Sequence, residues 1–168
     1  MTNDVGALFT AVSCEKLDAI VEPLKRCMER LSDEQVWARG GEHENAVGNL
    51  ILHLDGNMRQ WILHGIGGAA DVRERDAEFS VRGGMSRAEL MERFLGTVAE
   101  CKVVIGRTPT ERMFERITPQ PGRPESSVLG AIYMVVGHVQ QHVGQIILLT
   151  KQMAATDLDL YDSAEAVR

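Results

Sequence analysis

Tyr133-Met-Val-Val-Gly-His-Val-Gln-Gln-His-Val-Gly-Gln145 is the stretch that decides how this chain is read. Its histidines, His138 and His142, are four residues apart, so on a helix they leave the same face about 6 Å from each other. At that spacing two ring nitrogens can reach one metal ion. From Ser126 to Thr150 there is no Asp, Glu, Lys or Arg, which predicts a helix buried on most sides. Histidines in such an interior need partners, because an unpaired buried polar group costs roughly 1–3 kcal/mol. A shared metal satisfies both rings. Hydrogen bonds to carbonyls satisfy them too, so a third ligand has to be sought elsewhere.

Outward from this helix, three more long helical patterns appear and no convincing strand. The first runs from about Asp4 to Leu31, with Leu17, Ile20, Val21, Leu24, Met28 and Leu31 at three- and four-residue steps. Pro23 should kink or divide it. Ser32-Asp-Glu-Gln35 reads as a capping box opening a short turn that carries Trp37. The second helix runs from about Asn45 to Gly65, with Val47, Leu50, Ile51, Leu54, Met58, Trp61 and Ile62 as its apolar stripe. Ser86-Arg-Ala-Glu89 caps a third helix that reaches about Gly106. A proline-rich connection with an extended or hairpin-like segment around Arg112–Ile117 leads to the fourth helix, Ser126 to Ala154. From Thr156 the tail is polar and expected to pack loosely. Long connections between helices 2–3 and 3–4 predict an all-α, four-helix bundle that is not simply up-down-up-down, as one domain over residues 1–168.

Bulk properties narrow the partners. A net charge of −6 and a pI near 5.4, with no basic cluster, argue against nucleic acid. The N-terminus has neither a basic nor an apolar leader region. The Ser126–Thr150 run is long enough to span a bilayer, but His138, Gln140, Gln141, His142 and Gln145 make it a core helix instead. Cys14, Cys27 and Cys101 are odd in number and far apart, as expected of reduced thiols in a cytoplasmic protein.

On the second helix Asn49, His53, Asn57, Gln60 and His64 fall within about 80° on a helical wheel of 100° per residue, a neutral polar stripe beside the core. Asp55 and Arg59 point elsewhere. The stripe suits a lined pocket and equally an ordinary boundary face. His53 and His64 are about 16 Å apart along the axis and cannot share an ion. His53 lies nearer the helix middle, His64 at its glycine-flanked end, and His43 in a turn before the helix, where it should be solvated.

Three segments, in order, resemble a known family. They are Gly48-Asn-Leu-Ile-Leu-His53-Leu with Asn57 and Trp61, Arg73-Glu-Arg-Asp-Ala-Glu-Phe79, and His138-Val-Gln-Gln-His142-Val-Gly-Gln-Ile146. Together they resemble the DinB-like (YfiT-like) metal-dependent proteins. The resemblance implies a bundle of the DinB type, usually a homodimer, whose metal site takes one histidine from the second helix and an HxxxH pair from the fourth. Here those ligands are His53, His138 and His142, and the metals implied are zinc or nickel.

Three neutral imidazoles leave a transition metal with open positions, the pattern of catalytic rather than closed structural sites. Such an ion can polarise a carbonyl or hold a thiol as thiolate. Some relatives of the family are S-transferases or isomerases that use low-molecular-weight thiols. The leading expectation is therefore a metal-dependent hydrolase or transferase of small molecules, a low-molecular-weight thiol S-transferase being its most specific form. The alternatives are a metal-binding or sensing protein without catalysis, and a structural homodimer whose core histidines merely hydrogen-bond. No acid–base partner is evident. Asn49, Asn57, Gln141 and Gln145 read as groups that orient the imidazoles. Arg73, Arg75, Asp76 and Glu78 read first as a solvated loop tied by its own ion pairs, and second as an anion-binding lip over the site. Two expectations are geometric: the three ring nitrogens should converge to within about 3–4 Å of one another, on the scale of one metal's coordination shell, and the chain should pair through a face of its first or third helix.

Overall fold

Pro23 shapes the start of the chain. Lacking an N–H, it cannot bond the carbonyl of Ala19, and the first helical stretch divides there into α1 (Val5–Ala19) and α2 (Val21–Arg30). In the computed structural model, which describes residues 4–155 and 157–160, both halves are helical, as the periodicity predicts. Asp4 caps α1 by accepting from the Ala7 amide at 3.1 Å. Ser32 and Gln35 form the expected reciprocal box, at 3.1 and 2.9 Å, and open the short α3 (Asp33–Val36). Trp37 follows, its Nε1 donating to the Met85 carbonyl at 2.8 Å. The Trp37 ring lies against Gly48, where a Cβ would meet ring carbons at 2.9 Å, so the bare backbone makes this contact possible.

The second predicted helix is α4 (Val47–Met58), continued by a π-helical turn over Arg59–His64. Within that turn the Gly65 amide donates to the Gln60 carbonyl at 3.1 Å, a five-residue step. In this turn Gln60, Ile62 and Leu63 are buried, while Trp61, assigned to the apolar stripe by a constant helical pitch, is only partly buried. Beyond it the connection contains the six-residue α5 (Arg75–Ser80). Ser86 and Glu89 cap α6 (Arg87–Arg107), which buries Leu90, Phe94, Cys101 and Ile105. A 3₁₀ turn (Thr110–Phe114) precedes β1 (Arg116–Ile117), paired antiparallel with β2 (Ser126–Ser127). This small ribbon is the extended segment expected near Arg112–Ile117. α7 (Val128–Ala154), capped by the Ser127 hydroxyl, completes the fold.

The architecture is all-α apart from that ribbon. α4 packs against α5, α6 and α7, α1 against α6 and α7, and α2 against α7. Asp55, 0% exposed, fastens α4 to α6 by accepting from Arg93 Nε at 2.6 Å and Thr97 Oγ1 at 2.5 Å.

Two expectations are corrected. α7 is not buried on most sides. One stripe, including Ala131, Ile132, Val135, Val139 and Ile146, is fully buried, while Tyr133 is 71% and Leu148 58% exposed. Freedom from charge did not imply burial, because glycine and glutamine provide enough polar surface for a solvent face. The tail also packs more closely than expected at Leu158, which is 1% exposed, and Arg26 donates to the Asp159 carbonyl. The rest of the predicted tail, Thr156 and residues 161–168, lies outside the described residues, as do residues 1–3 of the N-terminal stretch.

Candidate metal centre

His53, in the middle of α4, is 6% exposed and faces α7, where His138 and His142 stand one turn apart. The three rings meet edge to face, with centroids 5.0, 5.1 and 4.5 Å apart. One ring nitrogen from each lies within 4.8 Å of the others, and His53 Nε2 is 2.9 Å from His138 Nε2. The convergence is looser than the roughly 3–4 Å expected: two nitrogens each about 2.1 Å from one ion stand at most about 4.2 Å apart, so the rings must close in slightly to share it. His64 is not in the group: at the end of the π turn, its Nδ1 bonds the Ala69 carbonyl at 2.7 Å. His43 is exposed, as expected.

Behind His53 the connection from Asp71 to Val81 forms a strap. Glu78 Oε2 lies 2.9 Å from His53 Nδ1. Arg73 grips the same carboxylate with both edges of its fork, Nε to Oε1 at 2.7 Å and Nη2 to Oε2 at 2.9 Å. The polar stripe of α4 holds this strap down. Gln60 Oε1 accepts from Arg73 Nη1 at 3.0 Å, and Gln60 Nε2 donates to Asp71 at 2.9 Å. The Asn49 amide donates to the carbonyls of Glu78 and Val81 at 2.9 and 3.0 Å. Phe79 packs tilted against the His53 ring with centroids 4.8 Å apart, and the Arg75 guanidinium lies over the Phe79 ring at 5.1 Å.

This corrects the reading of the segment as a solvated loop. The side chains of Arg73 and Glu78 are 4% and 9% exposed, and their ion pair seals the back of the site. Arg75 and Asp76 are exposed. A sequence clue did exist. Gly56, three residues after His53, leaves a bare patch on α4, and a Cβ there would fall on Glu78 Oε1, 3.0 Å from its carboxyl carbon. Asn49 also departs from expectation, since it holds the strap's backbone and not an imidazole. Gln145 does orient a ring: its Oε1 accepts from His142 Nδ1 at 2.7 Å. Gln141 is exposed, and the Oδ1 of buried Asn57 has no hydrogen-bond partner among the described residues.

The electrostatics suit a cation. Burial, then the neighbouring imidazoles and Arg73, push His138 down to about 4, and burial likewise lowers His142. Both rings are therefore neutral near pH 7 and keep a lone pair for a metal. Gln145, by taking the Nδ1 hydrogen, leaves His142 Nε2 as the free donor. For Glu78, burial acts to raise the carboxyl, but the bonds from Arg73 and His53 outweigh it and hold it below its usual range. Three converging ring nitrogens, two of them on rings held neutral and the third backed by a carboxylate, fit a divalent transition metal.

A cleft of about 750 Å³ lies beyond the strap, between it, α4 and α6, and is lined by Leu52, Ala77, Val81 and Val104 among others. Arg73 and Glu78 form part of its wall. None of the three histidines lines it, so it is a separate space from the candidate centre.

Residues 4–162 match the family model described as "Protein of unknown function (DUF1572)". Among solved structures the chain is similar to that of a conserved protein from Enterococcus faecalis, with a TM-score of 0.71 and 13% identity, over 88% of this chain and 98% of that one. At this identity the likeness concerns the fold. None of the curated proteins matches the chain.

Proposed function

The chain belongs to the DUF1572 family, and we propose that it holds one divalent transition metal ion, zinc or nickel, through His53, His138 and His142, within a four-helix bundle of the DinB type. The observation that carries the reading is the convergence of three ring nitrogens from two helices within 4.8 Å. Family membership and the fold likeness are compatible with the DinB-type bundle over one domain. Three protein ligands leave coordination positions open, which favours an enzyme acting on small molecules over a closed structural site. When bound, the ion would supply Lewis acidity towards an oxygen or sulfur atom of the substrate. The chain's own residues do the rest: Gln145 orients His142, Phe79 and the Arg73–Glu78 pair keep water from the back of His53, and half-buried His138 and His142 border the open side.

A transferase of low-molecular-weight thiols is the most specific form of this reading. Metal-loaded protein, offered a panel of such thiols with an electrophilic acceptor, should turn over at a rate that falls to background in the His138→Ala variant. Equal rates with and without metal would exclude it. One observation favours the second reading, a metal-binding or sensing protein without catalysis. Both oxygens of Glu78, the carboxylate beside the histidines, are already engaged by Arg73 and His53, which leaves it poorly placed as a general base.

Assembly is part of the proposal. α1 carries Val5, Leu8 and Val12 at helical spacing, 76%, 64% and 41% exposed, an apolar stripe suited to a two-fold partner. A homodimer through this face of the first helix should appear by light scattering at micromolar concentration, and Leu8→Glu should shift it to monomer. A wild-type monomer under those conditions would exclude the pairing. No helix among the described residues is long and apolar enough to cross a membrane. Free Cys14, Cys27 and Cys101 support a cytoplasmic setting.

A further inference from the structure

We propose that Glu78 is a positioning residue for His53: braced by Arg73 and admitted to the surface of α4 by Gly56, it holds the imidazole as the Nδ1–H tautomer and aims the Nε2 lone pair at His138 and His142. Two groups approach His53 Nδ1, Glu78 Oε2 at 2.9 Å and Arg73 Nη2 at 3.2 Å. A guanidinium nitrogen can only donate, and an ionised carboxylate can only accept. Were Nδ1 unprotonated, its lone pair would face a carboxylate oxygen at hydrogen-bond distance, with no hydrogen between them. With the hydrogen on Nδ1, the shorter contact becomes a charge-assisted bond, and Arg73 serves the carboxylate with its own two donors.

The consequence appears on the other edge of the ring. His53 Nε2 then carries the lone pair, and the 2.9 Å contact to His138 Nε2 is an N–H donated by His138. One arrangement of hydrogens satisfies the contacts of both rings. It also leaves His53 in the tautomer that a metal on Nε2 requires, as a carboxylate behind a ligating histidine does in general. The carboxylate cannot relax away easily. Arg73 is itself anchored by the buried Gln60, and the Asn49 amide fixes the Glu78 carbonyl. The absence of a Cβ at Gly56 is what lets the carboxylate reach this depth.

The role in metal binding rests on the three-histidine reading; the tautomer does not. The test uses the full chain, metal-free and ¹⁵N-labelled, above pH 7, with long-range ¹H–¹⁵N correlation of the imidazoles, followed by titration with zinc alone. In the wild type, His53 should show a protonated Nδ1 and an unprotonated Nε2, with the reverse at His138. Glu78→Gln keeps the shape but puts an amide donor where an acceptor is needed, so the Nδ1–H signature should be lost and zinc affinity should fall about 10–100-fold. Gly56→Ala touches no ligand and favours a helix in general. By displacing the carboxylate it should nevertheless mix the His53 tautomers and weaken zinc in the same direction. A wild-type His53 protonated on Nε2 would overturn the proposal. So would a Glu78→Gln protein with both signature and affinity unchanged. If the wild type shows the expected tautomer, lost in Glu78→Gln, yet takes up no zinc, the metal reading fails and the hold of Glu78 on the ring stands.

Discussion

His142→Ala is expected to lose most of its bound metal, with zinc affinity reduced by more than about a hundredfold, because changes behind a ligand alone cost 10–100-fold. The variant leaves His53 and His138 on separate helices, without the third nitrogen that completes the 4.8 Å cluster. His64→Ala is the control on the same polar stripe. Its ring is occupied by the Ala69 carbonyl at 2.7 Å and stands eleven residues from His53, about 16 Å along a regular helix. Its metal content should match the wild type. Equilibrium dialysis against zinc separates the two cases, and the opposite pattern, with His64→Ala depleted and His142→Ala full, would refute the ligand assignment.

The second large effect concerns stability. Asp55→Ala should destabilise the fold by about 3 kcal/mol, as expected when charged hydrogen bonds of a buried group are removed and a partner is left unpaired. Asp55 is 0% exposed and holds both Arg93 and the buried Thr97 hydroxyl, so the change leaves a space between α4 and α6 and a hydroxyl without its acceptor. Arg93→Ala should cost far less, because its side chain is 49% exposed and its loss still leaves Asp55 bonded to Thr97 and to Arg59 at 3.4 Å. Chemical denaturation of the three proteins would measure the difference. Equal losses in the two variants would mean that Asp55 is not the fastening point.

Much of this arrangement is legible in the chain because it depends on local signals. The break at Pro23, the boxes at Ser32–Gln35 and Ser86–Glu89, and the helical spacing of His138 and His142 follow from chemistry within a few residues. The placement of His53 opposite that pair needed the family resemblance, since a wheel says which face a residue occupies and not what that face meets. What was hidden is tertiary. Arg73 and Glu78 look like surface charges until each becomes the other's partner in a space cleared by Gly56. The π turn at Arg59–His64 has no period of its own in the sequence, and Trp61 within it is only partly buried. α7 shows that a run without charges can still present Tyr133 and Leu148 to solvent.

The central claim is that His53, His138 and His142 bind a metal ion together. The most direct measurement is elemental analysis of the full chain, purified without a polyhistidine tag or chelator and then dialysed against trace zinc and nickel. The account predicts about one zinc or nickel ion per chain, as expected of a three-histidine site. A wild-type protein that emerges folded and essentially free of transition metal would contradict it, and would leave the three histidines as a hydrogen-bonded cluster.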